Sequence, residues 1–377
     1  MKYITLAVSL ILCMFLCTCK NHHKSQSYTL EGDTLTMKYA ENLRIIKYRD
    51  YTLAILRNPW DTTKILHTYI LTDRLRSQPA QLPQGTIIQI PLEHSLVYSS
   101  VHCSLLNELQ STDRIKGICD LRYISIPSIQ EDCRKGRIID AGNSMNPDIE
   151  KIIDMHPDAI LLSPYENNNG YGRIEKLNIP IVECADYMET SPLGRAEWMR
   201  FYGLLYGCEK RADSLFAQVE AEYLTIKAKT SQISKHPTVF SELKMGSTWY
   251  VAGGNSTTSR FFADAGAHYI FSELPQSGSV ALSFETVFDK AQHADFWILK
   301  YNQEKDKTYA ELKNDYALYA QFDAFKNRHI YGCNTRYVRF YEESPFHPEY
   351  LLKDFVKLFH PHLLEQDSLR YYQPLSE

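Results

Sequence analysis

The sequence predicts an α/β protein: two Rossmann-like lobes joined by a single long spine helix, with an extra N-terminal β-rich segment. Three observations carry this. The stretch Arg137 to Val182 alternates strand-like and helix-like runs. A similar helix-then-strand unit recurs around Glu285. Between the two lies one amphipathic run, Glu209 to about Thr230, with Ala212, Leu215, Phe216, Val219 and Tyr223 at helical spacing. At 1.5 Å per residue that helix spans about 33 Å, roughly one small domain across.

The 377 residues divide into a signal segment (1–19), a tether (20–27), a β-rich segment (28–83), a first α/β lobe (84–186), connecting helices (187–232) and a second α/β lobe (233–377). Net charge is -4, so no nucleic-acid partner is expected. Aromatic residues make up 12 % of the chain, and several fall in predicted loops, which suits a site for a large, flat or partly apolar ligand.

At the N-terminus, Lys2 precedes an apolar run, Ile4 to Leu16, too short and too near the terminus for a membrane span. It ends in Leu16-Cys17-Thr18-Cys19, which resembles a bacterial lipobox. Cleavage would fall before Cys19, and Cys19 would carry the lipid; Cys17, behind bulky Leu16, is the weaker acceptor, and a plain secretory peptide is the alternative. Six cysteines remain, Cys103, Cys119, Cys133, Cys184, Cys208 and Cys333, with no CxxC and no clustered Cys/His spacing, so no metal site is assigned.

Residues 28–76 read as a strand meander, an added β layer or flap, with hairpin signals at Glu31-Gly32-Asp33 and Arg49-Asp50. Thr86 to Ile90 reads as a buried strand that opens the first lobe, with His94 and Ser95 in the loop beyond it. Ser99 or Ser100 caps a helix from Cys103 to Leu109. In the organising stretch, Asn146 caps, Pro147 opens and Asp148 lies in the first turn of a helix that Pro157 ends; Ala159 to Leu162 is a buried strand opening into Ser163 to Gly170. Arg173 to Leu177 reads as a further helix. In the second lobe, Thr238 to Phe240 is a strand, Lys244 to Asn255 a loop showing Trp249 and Tyr250 amid glycines, and Ser283 caps a helix before the strand at Phe296 to Leu299. The strand His329 to Tyr331 feeds a loop with Arg336, Tyr337 and Arg339, and Pro348 to His360 closes the chain.

The two helix–strand units match in detail. Each has a Glu in the first helical turn, Glu150 or Glu285, and an Asp before the strand, Asp158 or Asp295. Singly, each Glu complements a helix dipole, worth about 0.3–1 kcal/mol. As a pair on two lobes they suggest a shared task.

The order of Asp140-Ala141-Gly142, Asn146-Pro147-x-x-Glu150, Pro157-Asp158-Ala159-Ile160, Leu177-Asn178-Ile179-Pro180, the long helix and Ala263-Asp264-Ala265-Gly266-Ala267 resembles the periplasmic substrate-binding proteins of ABC importers for cobalamin and ferric siderophores. The resemblance covers Thr86 to His360. It implies a monomer that binds a small-molecule metal chelate between its lobes, a ferric chelate or a corrinoid, and takes no resident cofactor. It implies an ABC permease dimer with its ATPase as partner, docked through Glu150 and Glu285, and a membrane reached through the lipid anchor on the periplasmic side. By position, the ligand-binding residues are His94, Ser99, Tyr165, Asn168, Tyr171, Trp249, Tyr250, Ser279, Arg336, Tyr337 and Arg339. For the arginines, ion pairs with Glu342 or Glu343 are the rival role.

Two other classes fit less well. A bare-metal carrier could use His94, but Tyr165 to Tyr171 has no His and Arg336 stands where an acid is wanted. An enzyme would need a catalytic motif, and GxSxG, GxxxxGK[ST], HExxH and the Rossmann glycine fingerprint are all missing from the sequence. A ligand sensor that signals without transport stays open.

Overall fold

The computed structural model describes residues 32–166 and 170–377. Three five-stranded sheets organise them. The first is the meander Asp33–Leu35, Leu43–Lys47, Thr52–Arg57 and Ile65–Asp73, antiparallel throughout, with Thr86–Ile90 added in parallel at its edge. Thr86–Ile90 therefore does not open the first lobe. It pairs instead with Ile65–Asp73, so the expected boundary at 84 cuts through this sheet. The first arm of the hairpin expected at Glu31–Asp33 lies outside the described residues.

The meander is no flap. Ile45, Ala54, Leu56, Tyr69 and Leu71 join the main apolar core. Two buried glutamates of the connecting helices hold its entry loop. Glu197 accepts the backbone N–H groups of Lys38, Tyr39 and Ala40 at 2.8–2.9 Å, and Glu189 accepts those of Glu41 and Asn42 at 3.0 and 2.9 Å. Carboxylates are acceptors only, so each meets donors the loop would otherwise leave unpaired.

The first lobe's sheet is all parallel, in the order Ile181–Glu183, Ala159–Leu162, Ser95–Val97, Ile115–Ile118, Ile139–Asp140. Strands covered on both faces need continuous apolar runs, and Ala159–Leu162 is buried at every position. Gly117 lets the helix Ile149–Met155 pack close, since a Cβ there would meet Met155 Sδ at 2.6 Å. The second lobe's sheet runs His268–Tyr269, Thr238–Ser241, Phe296–Tyr301, Ile330–Asn334, with Gln373–Pro374 antiparallel at the edge. A small antiparallel sheet, Lys244–Met245, Thr248–Ala252 and Ser279–Leu282, follows its first strand. In each lobe the strand order reverses beside the first strand, which leaves a crevice at the carboxyl ends.

The spine helix, Glu209–Thr230, has 22 residues and buries Ala212, Phe216, Val219 and Tyr223 as its periodicity predicts. It packs against Met199–Leu205 and the closing helix Pro348–Phe359. The expected helix at Arg173–Leu177 is only a 3-10 turn, Glu175–Leu177. Asn146 and Pro147 do not start the next helix. They pair with Asn143 and Gly142 in a small hairpin, and Asp148 is the cap, accepting from Glu150 N and Lys151 N at 3.1 and 3.2 Å.

Candidate functional site

A cavity of about 620 Å³ opens at the carboxyl ends of the first lobe's strands. Tyr98 and Ser99 follow the central strand directly, and Ser99 Oγ accepts Val101 N–H at 3.2 Å to cap the helix Ser100–Glu108. The Tyr98 hydroxyl is buried without a hydrogen-bond partner among the described residues, and burial raises its pKa. Asp120 follows the strand Ile115–Ile118 in the left-handed region, φ 52. Its carboxylate accepts from Ser144 Oγ at 2.5 Å, which pins the hairpin whose Met145 is 87 % exposed on the cavity wall. Burial pushes the Cys119 thiol, also on the wall, up to about 12, so it is inert as a nucleophile. Tyr165, 56 % exposed, and Tyr171 come from the loop after Ala159–Leu162, and Arg173 adds a cation. Tyr171 OH donates to Glu183 Oε1 at 2.7 Å.

Of the expected ligand residues, the structure brings Ser99, Tyr165 and Tyr171 together on this wall. Asn168 lies outside the described residues. His94 is a correction. It precedes the strand Ser95–Val97, at the amino edge, and its backbone N–H bonds Asp158 Oδ2 at 3.0 Å, so the strand runs away from it toward the cavity. Trp249 is the second correction: it is fully buried, donates Nε1–H to Ser241 O at 3.1 Å, and packs against Phe240, Trp297, Tyr319 and Phe322. Strand alternation turns its neighbour Tyr250 outward, 47 % exposed. Ser279 is exposed opposite Ala252. Arg339 is bound to Glu342 and Glu343 at 2.9 and 3.6 Å, the ion-pair role rather than a cleft cation. Arg336 stands 3.9 Å from Glu304, and exposed Tyr337 donates to the Glu304 carbonyl. None of these second-lobe residues lines the cavity of the first.

The sequence reading missed Tyr98, Asp120, Tyr123, Met145 and Arg173. Tyr98 carried a signal, as the residue just past a central strand. Met145 sat in a polar turn, GNSMN, where an apolar side chain has no core to join.

At the second lobe's own switch point, Glu242 is left-handed, φ 68, and pairs with Lys300 beside a smaller cavity of about 150 Å³ that Arg195 also borders. The repeat is visible at both sheet edges. Glu150 and Glu285 each stand two residues past a capping side chain, Asp148 and Ser283, and both are exposed. Asp158 accepts from His94 N at 3.0 Å, and Asp295 accepts from Thr238 N at 2.8 Å, so each ties down the start of the first strand of its lobe's sheet.

A family profile described as periplasmic binding protein matches residues 104–337. An uncharacterized lipoprotein of Methanocaldococcus jannaschii is 25 % identical over 365 residues, covering 90 % of this chain and 85 % of that protein. Two solved structures share the fold. One is a possible iron-binding (periplasmic solute-binding) protein from Staphylococcus epidermidis, with TM-score 0.58 and 20 % identity, covering 72 % of this chain and 99 % of that one. The other is described as an ABC-type Fe3+-hydroxamate transport system from Saccharomonospora viridis, with TM-score 0.56 and 15 % identity, covering 72 % and 94 %.

Proposed function

The chain belongs to the periplasmic binding protein family, and from that premise we propose that it is the lipid-anchored solute-binding component of an ABC import system. It captures a ferric siderophore in the cleft between its lobes and delivers it to a membrane permease and its ATPase. The observation that carries this reading is the first-lobe cavity, with Tyr98, Tyr123, Tyr165 and Tyr171 on its wall beside Arg173. Phenol rings offer flat apolar area with a polar edge, and a guanidinium pairs with an anionic chelate through two parallel hydrogen bonds. A volume near 620 Å³ falls within the roughly 300–1,000 Å³ of small-molecule sites. Tyr250 and Tyr337 are exposed on the second lobe, and on this reading they are its contacts with the ligand. The descriptions of the two similar structures support iron chelates as the ligand class. The Leu16 to Cys19 pattern, and a relative that is itself called a lipoprotein, support export and anchoring through Cys19.

The test is retention of colour and iron. The full chain, purified in detergent, is incubated separately with a ferric hydroxamate, a ferric catecholate, cobalamin and haem, then desalted. Iron retained with either siderophore class at micromolar protein is the expected result. Retention of cobalamin alone would move the ligand to a corrinoid for the same kind of importer. Retention of none would overturn the chelate reading.

A further inference from the structure

The amino-terminal sheet lies outside the matched residues 104–337, yet one of its strands reaches the ligand cavity through side chains. His67, on Ile65–Asp73, places Nδ1 3.1 Å from Glu183 Oε2 and Nε2 2.8 Å from Thr86 Oγ1. Its ring stacks on Tyr69 at 4.3 Å between centroids. Tyr69 is fully buried, and its hydroxyl accepts the backbone N–H of Glu183 at 2.8 Å. The sheet therefore grips Glu183 at both backbone and carboxylate. The other carboxylate oxygen, Oε1, accepts the Tyr171 hydroxyl at 2.7 Å, and Tyr171 lines the cavity. Glu183 ends the edge strand Ile181–Glu183, in register with Leu162, another cavity residue.

We propose that the amino-terminal sheet sets the position of Tyr171 in the ligand cavity, with His67 and Glu183 as positioning residues. This rests on the cavity being the ligand site. Glu175 Oε1 accepts the Tyr171 backbone N–H at 2.8 Å, between Gly170 and Gly172 at φ 115 and 63, while Glu183 holds the far end of the ring. A carboxylate only accepts, so Glu183 holds Tyr171 through the phenol proton, and that oxygen then meets a ligand as an acceptor. Glu183 is 8 % exposed. Without His67, its Oε2 loses a partner where water cannot readily replace it, and the carboxylate has reason to turn away from Tyr171.

Hydrogen exchange on the full chain in detergent tests this without any ligand. His67→Ala should speed exchange of the amides of residues 171–177 by about tenfold, the scale of one lost buried hydrogen bond. His67→Gln, which keeps an N–H for Glu183, should restore rates to within about twofold. Tyr171→Phe should loosen the same segment, and adding His67→Ala should then change it little further, because both act through Glu183. Unchanged exchange at 171–177 in His67→Ala, or full additivity with Tyr171→Phe, overturns the proposal. A second arm titrates a ferric hydroxamate and a ferric tris-catecholate. Whichever binds the wild type should bind His67→Ala at least about threefold more weakly, and equal affinity counts against a role in the cavity. If neither probe binds the wild type, the ligand reading fails, and the exchange arm still decides the positioning.

Discussion

The carboxylate of Glu342, on the second lobe, accepts the backbone N–H of Ser125, on the first, at 2.7 Å. The Ser125 hydroxyl donates to the same carboxylate, and Arg339 Nε lies 2.9 Å from it. Glu342 is 5 % exposed. Glu342→Ala strands an N–H, a hydroxyl and a guanidinium together, and should cost about 1–3 kcal/mol in urea unfolding. Ser125→Ala removes one donor and should cost less. The double variant should lose less than the sum, since one contact is removed twice. Strict additivity would mean that the two residues do not hold the lobes together.

Trp249 and Tyr250 are adjacent, but the strand sends them to opposite faces, and their substitutions should part accordingly. Trp249→Ala empties a space ringed by Phe240, Trp297, Tyr319 and Phe322, and should cost about 3–5 kcal/mol. Tyr250→Ala, at a half-exposed position, should stay within about 0.5 kcal/mol while weakening chelate binding. Thermal unfolding beside a binding titration separates the two. A Trp249→Ala variant that folds with wild-type stability contradicts the burial.

These adjacent residues also mark how far sequence reasoning reaches. The spine helix was legible because strands and loops do not sustain a 3.6-residue apolar period over six turns, and Glu285 was legible because its Ser283 cap is local, whereas the cap ahead of Glu150 is Asp148 and not the expected Asn146. Trp249 was not, because the glycines around it suggested a loop and hid a strand whose alternation turns the ring inward. His94 was misplaced because a short apolar run does not announce where its strand starts. Thr86–Ile90, read as the lobe's opening strand with His94 in the loop beyond it, belongs to the amino-terminal sheet, and the lobe's strand is Ser95–Val97, with His94 just before it. Arg339 faces inward pairs because the short helix Phe340–Glu343 sets two carboxylates three and four residues on, a spacing visible in the sequence as the rival role.

His347 should impose a pH dependence on stability. Its Nε2 lies 2.5 Å from Glu108, on the first lobe's helix Ser100–Glu108, and its Nδ1 lies 2.7 Å from Glu349, on the closing helix. Tyr350 stacks on the ring, and Glu222, Glu343 and Arg370 border the same hollow. Burial opposes the charge, but hydrogen bonds to Glu108 and then Glu349 outweigh it, and the imidazole is raised from 6.5 to about 10. Because the folded value is the higher one, the contribution is full below about pH 6.5 and is lost as pH rises through 10. Wild type should therefore exceed His347→Gln by about 3–5 kcal/mol near pH 6. The gap should narrow steadily toward pH 10. A gap that stays constant across pH 7 to 10 would show a neutral imidazole in the fold.

Glu150 and Glu285 are exposed in the first turns of the helices Ile149–Met155 and Phe284–Ala291, each behind a capping side chain. Neither lines the first-lobe cavity. On the docking reading, reversing both charges should leave chelate affinity within about twofold and reduce uptake by at least about tenfold, because charges at a protein interface govern orientation and on-rate. Each single reversal should fall between wild type and the double variant. Glu150 follows an Asp cap and Glu285 a Ser cap, so Glu150→Lys keeps the carboxylate of its cap, and Glu285→Lys has no acidic cap. The Glu285 reversal should therefore be the more damaging of the two. Uptake into cells or vesicles carrying the cognate permease, measured beside equilibrium binding on the same preparations, decides the matter. If binding is lost along with uptake, these glutamates belong to the ligand cleft, and the matched pair has no docking role.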